Sequence, residues 1–238
     1  MSRLMSSTSR GRSRYGRLAV GLALSAGLVL SAAACGGDKG NTGGDGGEDD
    51  PATIAAAEIE VMKVCEQVDL APLLTATKAK FAEGPTDTGM GVGADPAGPQ
   101  CTAQIDFEPL RSGENSPAVD PANGRLNVAV LPYLSAENAA AEYDTRVQQT
   151  TQFASVEKTD TPLTGEWTKG VVINGRDQAS DKVYALVQKD SYLLKFELTW
   201  DTDAEFFDKY PFTRDDIAGT FQTMMTPFYT AVSAKAGG

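Results

Sequence analysis

A chain of 238 residues with 21 basic and 32 acidic side chains carries a formal net charge of −11, and it contains no histidine. The acidic balance disfavours binding to nucleic-acid phosphates or to anionic lipid head groups. The missing imidazole removes Ser-His-Asp and Cys-His mechanisms, histidine-ligated zinc and the usual proton shuttle near neutral pH.

The chain begins as an address. Five arginines (Arg3, Arg10, Arg12, Arg14 and Arg17) and no acid precede Leu18, and the 17 residues from Leu18 to Ala34 carry no charge. A basic stretch followed by an apolar one is the layout of a secretory signal peptide. Diluted with Gly, Ala and Ser, the run is short for a permanent span, which wants about 20 strongly apolar residues. No two of the arginines are adjacent, which argues against a twin-arginine signal. Residues 1–34 are therefore read as a signal peptide.

Its cleavage site has two readings. Ala32, Ala33 and Ala34 satisfy ordinary signal peptidase, which would release a secreted protein. Followed by Cys35, Gly36 and Gly37, they also look like a bacterial lipobox, with Ala32 where Leu is typical. The cysteines separate the two. An exported chain meets an oxidising compartment, and this one has Cys35, Cys65 and Cys101. A lipid such as palmitate on Cys35 leaves Cys65 and Cys101 to form one disulfide; otherwise an exposed thiol is left over. Anchoring to the outer face of the cell membrane is the preferred reading, with plain secretion as the alternative.

Residues 36–50 then act as a tether. Seven glycines and five acids against one lysine supply too little apolar surface to fold. As a flexible coil the segment spans on the order of 20 Å. Without the five signal arginines, 16 basic residues face 32 acidic ones, a net of −16, so membrane attachment would come from acyl chains rather than from protein surface.

Residues 51–238 are expected to form a single α+β domain. At its start, Ile54, Ala57, Val61, Cys65 and Val68 fall at helical spacing, so Cys65 is expected on the inner face of a helix. DLAPLLTATKAKFAEG follows with a short turn, a Thr75 cap and a stop at Gly84. The segments 84–100 and 111–124 are rich in Gly, Pro and Asp and read as loops. Between them Cys101, Ala103, Ile105 and Phe107 alternate like the buried side of a strand. A Cys65–Cys101 bridge would close a 36-residue separation, worth about 3.5 to 4 kcal/mol by loop entropy. A redox dithiol, the other use of paired thiols, usually has its cysteines closer in sequence.

Further along, Leu126, Val128 and Val130 share one face of a strand, where Pro132 suggests a strand end or a sheet edge. Ser135 is placed to cap a helix with the stripe Ala136, Ala140, Tyr143 and Val147. Residues 171–173, 182–188 and 192–200 read as strands, the last two joined by a turn at Lys189, Asp190 and Ser191. In the final strand Tyr192, Leu194, Phe196, Leu198 and Trp200 form a core face, with Lys195, Glu197 and Thr199 opposite. Thr213 and Asp216 open a last helix with a capping-box pattern, and Pro227 is expected to bend it. Ile217, Phe221, Met224, Phe228 and Val232 make its apolar stripe. The expected fold is a mainly antiparallel sheet of about five strands packed by N-terminal, central and C-terminal helices. The C-terminal stripe is most simply a packing face; Phe221, Met224, Met225 and Phe228 are also the candidates for an apolar groove taking an acyl chain or a partner helix.

No intact catalytic motif is present. Ser155 and Lys158 match S-x-x-K, and Ser180-Asp181-Lys182 faintly follows, but Thr168-Lys169-Gly170 is scrambled and the chain is short for that enzyme fold. Asp201, Asp203 and Glu205 start like a calcium loop that Phe206 and Phe212 then break, which leaves a solvated turn before a short helix as the preferred reading and a loose acidic calcium site as the alternative. Gly89, Gly91 and Gly93 imitate a phosphate loop without a preceding strand, and read as flexibility. No cofactor or metal site is expected.

The acylatable cysteine, the tail, VCEQVDLAPLLTATKAKF followed by QCTAQIDF, the alanine-rich helix, the sheet and the C-terminal helix together resemble small actinobacterial envelope lipoproteins grouped as a domain of unknown function. The resemblance implies an α+β domain on the envelope without an assigned activity. Expected from this is a binding or scaffolding module meeting an envelope protein or a wall component, not an enzyme and not a nucleic-acid binder. The alternative is a carrier or sensor of a small apolar ligand or lipid.

Overall fold

A computed structural model describes residues 51–108, 123–153, 156–177, 180–201 and 210–236, with side chains from Ala56 on. The signal segment, Cys35 and its tether, residues 111–122 of the second loop, Ser155, Asp203, Glu205 and Phe206 lie outside the described residues, as does the side chain of Ile54.

Eight strands are described: β1 (Lys80–Phe81), β2 (Thr86–Thr88), β3 (Gln100–Asp106), β4 (Asn123–Pro132), β5 (Val156–Pro162), β6 (Lys169–Arg176), β7 (Ser180–Lys189) and β8 (Tyr192–Asp201). They form one sheet in the order β1-β3-β4-β8-β7-β6-β5, with β2 also pairing β3. All its pairings are antiparallel. Four α-helices are described beside it: α1 (Pro51–Glu60), α2 (Ala71–Thr77), α3 (Ala136–Phe153) and α4 (Arg214–Ala236).

The centre of the sheet follows from alternation. β7 and β8 pair in register from Ser180↔Asp201 to Lys189↔Tyr192, around a two-residue turn. Asp190 takes a left-handed φ of 46° there, which suits Asp in a tight hairpin turn. Tyr192, Leu194, Phe196, Leu198 and Trp200 do form one buried face, together with Cys101, Ala103, Ile105 and Phe107. α4 covers that face. Phe196 lies 5.2 Å from Phe221 and 5.3 Å from Phe228 between ring centroids. The capping box closes as expected: Thr213 N–H donates to Asp216 Oδ2 (2.8 Å), and Asp216 N–H donates to Thr213 Oγ1 (3.2 Å). The hydrogen bonds to its carboxylate, to Thr213 Oγ1 first, lower the Asp216 pKa. α4 runs on through Pro227 to Ala236.

α3 packs on the opposite face, against Ala129, Leu131, Tyr184, Leu186 and Leu193, through Ala139 and Tyr143. Its cap is the expected one, with Asn138 N–H donating to Ser135 Oγ at 3.2 Å. Its inner stripe is rotated by one position, since Ala136 is exposed and Ala139 fully buried. The sheet is thus covered on both sides, with α1, α2 and α4 on one face and α3 on the other.

Three expectations are corrected. The sheet has eight described strands rather than about five, because β1 and β2 have only two and three residues and β5 is polar and almost wholly exposed. Such edge strands carry no period-two apolar signal. The N-terminal helix stops at Glu60; Ile59 is buried while Ala57 is exposed and Val61 is 77 % exposed, and Cys65 sits on a short 3-10 turn (Val64–Glu66). A break resets the phase of the stripe, so helical spacing carried across it points the wrong way. Finally, Thr75 lies inside α2, where its Oγ1 donates to the Ala71 carbonyl at 2.9 Å, and Asp69 is the side chain that meets the Ala71 N–H at 3.0 Å. The helix ends at Lys78, in the left-handed region with φ 52°, and the chain enters β1 instead of continuing to Gly84.

The disulfide joins Cys65 to Cys101 with Cα atoms 4.9 Å apart. Asp87 in β2, opposite Cys101 in the sheet, accepts the Cys65 backbone N–H at 2.8 Å, so the turn is fixed to the sheet by a covalent and a polar contact.

Candidate functional site

The α3 face of β8 is not simply solvated. Lys195 lies in the middle of the sheet, between Ala129 of β4 and Leu186 of β7, and is only 3 % exposed. An ammonium there needs a partner. Its Nζ lies 2.8 Å from Asp95 Oδ2 and 3.4 Å from Glu197 Oε2. Asp95 also takes two bonds from the Arg146 guanidinium of α3, at 2.6 and 3.2 Å. The outer ends are Glu142 Oε1, 2.8 Å from Arg146 Nε, and Lys182 Nζ, 2.7 Å from Glu197 Oε1. Three cations and three anions thus alternate along the sheet face.

Asp95 reaches this position because the loop before β3 is docked. Gln100 is fully buried and holds the loop from three sides: its Nε2 donates to the Val92 and Asp95 carbonyls (2.7 and 3.0 Å), and its Oε1 accepts the Asp95 N–H (3.1 Å). Asn127 of β4 donates to the same Oε1 at 2.6 Å. Of the glycines that read as flexibility, Gly91 and Gly93 take left-handed φ values, and Gly98 nearby is packed too closely to carry a side chain. Gly93 takes φ 90°, and a Cβ there would lie 2.6 Å from Gln100 Nε2; a Cβ at Gly98 would collide with the Val130 carbonyl oxygen.

Charge pairing sets the titration of this cluster. Burial alone would raise the Asp95 pKa, but Arg146 and Lys195 outweigh it and hold it below its ordinary 3.8. For Glu197, burial is likewise outweighed by Lys195 and Lys182, so its pKa falls below 4.5. Burial would lower Arg146, yet its bonds to Asp95 raise it. Burial raises the Tyr184 phenol and pushes Tyr143 up to about 12, so both stay neutral. Carboxylates with depressed folded pKa values stabilise the fold above their unfolded values and lose that contribution as pH falls through the folded ones. The urea midpoint is therefore expected to drop below about pH 4, and Asp95→Asn is expected to make that drop smaller. A pH series of urea melts checks this; identical acid profiles for the two proteins would contradict it.

Beside the cluster, the sheet face opens into a cleft of about 400 Å³ whose floor includes Arg125, Asn127, Lys182, Glu197, Thr199 and Asp201. Lys182 Nζ also lies 5.5 Å from the ring centroid of the exposed Phe153. The surface is polar and of mixed charge, and offers donors and acceptors side by side.

Of the other sequence candidates, Lys158 pairs with Asp160, Lys169 with Asp144 and Asp181 with Arg176 on the α4 side of the sheet, and Ser180 Oγ donates to Asp177 Oδ1 at 3.0 Å. Phe221, Met224, Met225 and Phe228 are at most 3 % exposed, sit in the core under α4 and line none of the described clefts. Among the described residues, no three His, Cys, Asp or Glu side chains gather as a metal site, and no helix is long and apolar enough to cross a membrane. The charge cluster itself was missed in the sequence. No local signal gives it away, because the burial of Lys195 depends on which sheet face α3 covers. No family model, no curated protein and no solved structure matches this chain.

Proposed function

We propose that this is an exported lipoprotein, held on the outer face of the cell membrane through Cys35, whose α+β domain acts as a binding or scaffolding module toward an envelope protein or wall component. One observation carries the reading. The Cys65–Cys101 disulfide is a bond of oxidising compartments and accounts for two of the three cysteines, leaving Cys35 behind a signal-like segment. The resemblance to actinobacterial envelope lipoproteins supports the same assignment. The mixed-charge cleft beside Lys182 and Glu197 is a surface suited to polar recognition. The C-terminal stripe is packed in the core, which favours the binding-module reading over a carrier of apolar ligands.

Growth of the producing cell with an alkyne-tagged palmitate is expected to label the protein and place it in the membrane fraction, and Cys35→Ala is expected to abolish both. Unlabelled wild-type protein in the medium would instead indicate plain secretion.

A further inference from the structure

The cleft of about 400 Å³ on the α3 side of the sheet holds two charges that the buried cluster beside it does not use. Gln104, Arg125, Thr199 and Lys182 form one row across β3, β4, β8 and β7, because Gln104 pairs with Arg125, Arg125 with Thr199 and Thr199 with Lys182. Alternation puts this row on the face opposite Leu126, Leu198 and Val183, which belong to the core under α4. Asp201 follows Thr199 by two residues, so it shares the face and stands diagonal to Arg125. Among the described residues, the charged ones lining the cleft are Arg125, Lys182, Glu197 and Asp201. Lys182 and Glu197 bind each other at 2.7 Å, and Glu197 also lies 3.4 Å from Lys195. Arg125 and Asp201 differ from them. Both are exposed, and neither enters an ion pair among the described residues, with each other or with a third group. Thr199 and Asn123, two residues before Arg125 on β4, flank the diagonal between them and line the same cleft.

We propose that this cleft binds a dipeptide-sized zwitterion, with a free carboxylate on Arg125 and a free ammonium on Asp201. A simple anion on Arg125 would lie beside Asp201 and in the field of a chain of net charge −11. A simple cation on Asp201 would lie beside Arg125. A neutral ligand would take both charges out of water and compensate neither. A zwitterion completes both, through charge-assisted bonds that the guanidinium fork makes in pairs to a carboxylate. Length selects within this class. Diagonal neighbours of an antiparallel pair lie about 7 to 8 Å apart, and two extended residues span about 7 Å. The amide between the two ends then falls beside the Thr199 hydroxyl and the Asn123 carboxamide, which both donate and accept. The cleft volume falls within the range of small-ligand sites, about 300 to 1,000 Å³. The inference rests on the reading of this cleft as the module's recognition surface, adds a ligand class to it, and makes no use of Cys35.

The test is an NMR titration of the purified, nitrogen-15-labelled full chain in detergent with glycylglycine, glycine, N-acetylglycylglycine and glycylglycinamide. Glycylglycine is expected to give saturable shifts at the amides of Arg125, Thr199 and Asp201. Glycine, which is shorter, is expected to bind more weakly, and the acetylated and amidated peptides, each lacking one charge, at least about tenfold more weakly. Arg125→Gln and Asp201→Asn, both at exposed positions, are each expected to weaken glycylglycine about tenfold. The urea midpoint establishes that each variant is folded, and if one is not, the other decides. No saturable shift with glycylglycine overturns the proposal. So do shifts confined to other parts of the domain, equal binding of the acetylated and amidated peptides, or undiminished binding in the folded variants. Palmitate-labelled protein that ignores glycylglycine loses this inference and keeps the tethered-module reading; unlabelled, secreted protein that binds it does the reverse.

Discussion

Asp95→Ala is expected to cost the domain about 3 to 5 kcal/mol of unfolding free energy, the range for breaking a buried ion pair from one side. Among the described residues its carboxylate and that of Glu197, at 2.8 and 3.4 Å, are the partners of the Lys195 ammonium, and it carries both bonds from Arg146. Removing it leaves one cation 4 % exposed and another 16 % exposed facing each other. Against a typical total of about 5 to 15 kcal/mol, the loss is a large fraction of stability. Lys195→Met added to Asp95→Ala is expected to recover part of it, because the uncompensated ammonium is then gone and a linear apolar side chain fills its path. Urea denaturation of the two variants and the wild type measures the coupling. A single variant within about 1 kcal/mol of wild type would mean that the cluster is solvated enough to be dispensable. Hydrogen exchange gives a local readout: the Val130 N–H, bonded to the Pro99 carbonyl at 3.1 Å, is expected to lose protection in Asp95→Ala as the loop lifts.

The second large effect is expected from the disulfide. Cys65→Ala with Cys101→Ala releases a 36-residue separation and is expected to cost about 3.5 to 4 kcal/mol through the entropy of the unfolded chain. The bridged segment contains α2, β1, β2 and the docked loop, elements that add little sheet of their own. Because Cys101 is fully buried, alanine is the suitable replacement; serine would add the burial of an unpaired hydroxyl. Reduction of the wild-type protein is expected to give the same shift in urea midpoint as the double variant. A shift below about 1 kcal/mol in both would show that Asp87 and the Gln100 contacts hold this region without the covalent bond.

Much of this architecture is legible in the chain. The β7–β8 hairpin, the α4 stripe and both helix caps follow from periodicity and from short-range hydrogen bonding, which operate over a few residues. The β8 core face is an unbroken alternation of five large side chains from Tyr192 to Trp200, and the same alternation marks Cys101, Ala103 and Ile105 in β3. What periodicity misreads is any residue whose environment is supplied from far away. Val61 fits a helical stripe that ends one residue before it. The edge strand Val156–Pro162 is polar because almost nothing covers it, so its pairing with β6 leaves no apolar trace.

Lys195 shows the division most clearly. Local pattern places it on the face of β8 opposite Phe196, and that placement holds. Whether that face meets water depends on α3 and on a loop 100 residues earlier that delivers Asp95. The cleft around Arg125 is of the same kind, since Arg125, Lys182 and Asp201 come from β4, β7 and β8. By itself the sequence determined the cysteine count, the absence of imidazole chemistry and the inner faces of the main strands and of the C-terminal helix, because each depends on composition or on spacing within one element. Only the tertiary structure decided which charges are buried, which glycines are obligatory and where a ligand can enter, because those depend on contacts between elements distant in the chain.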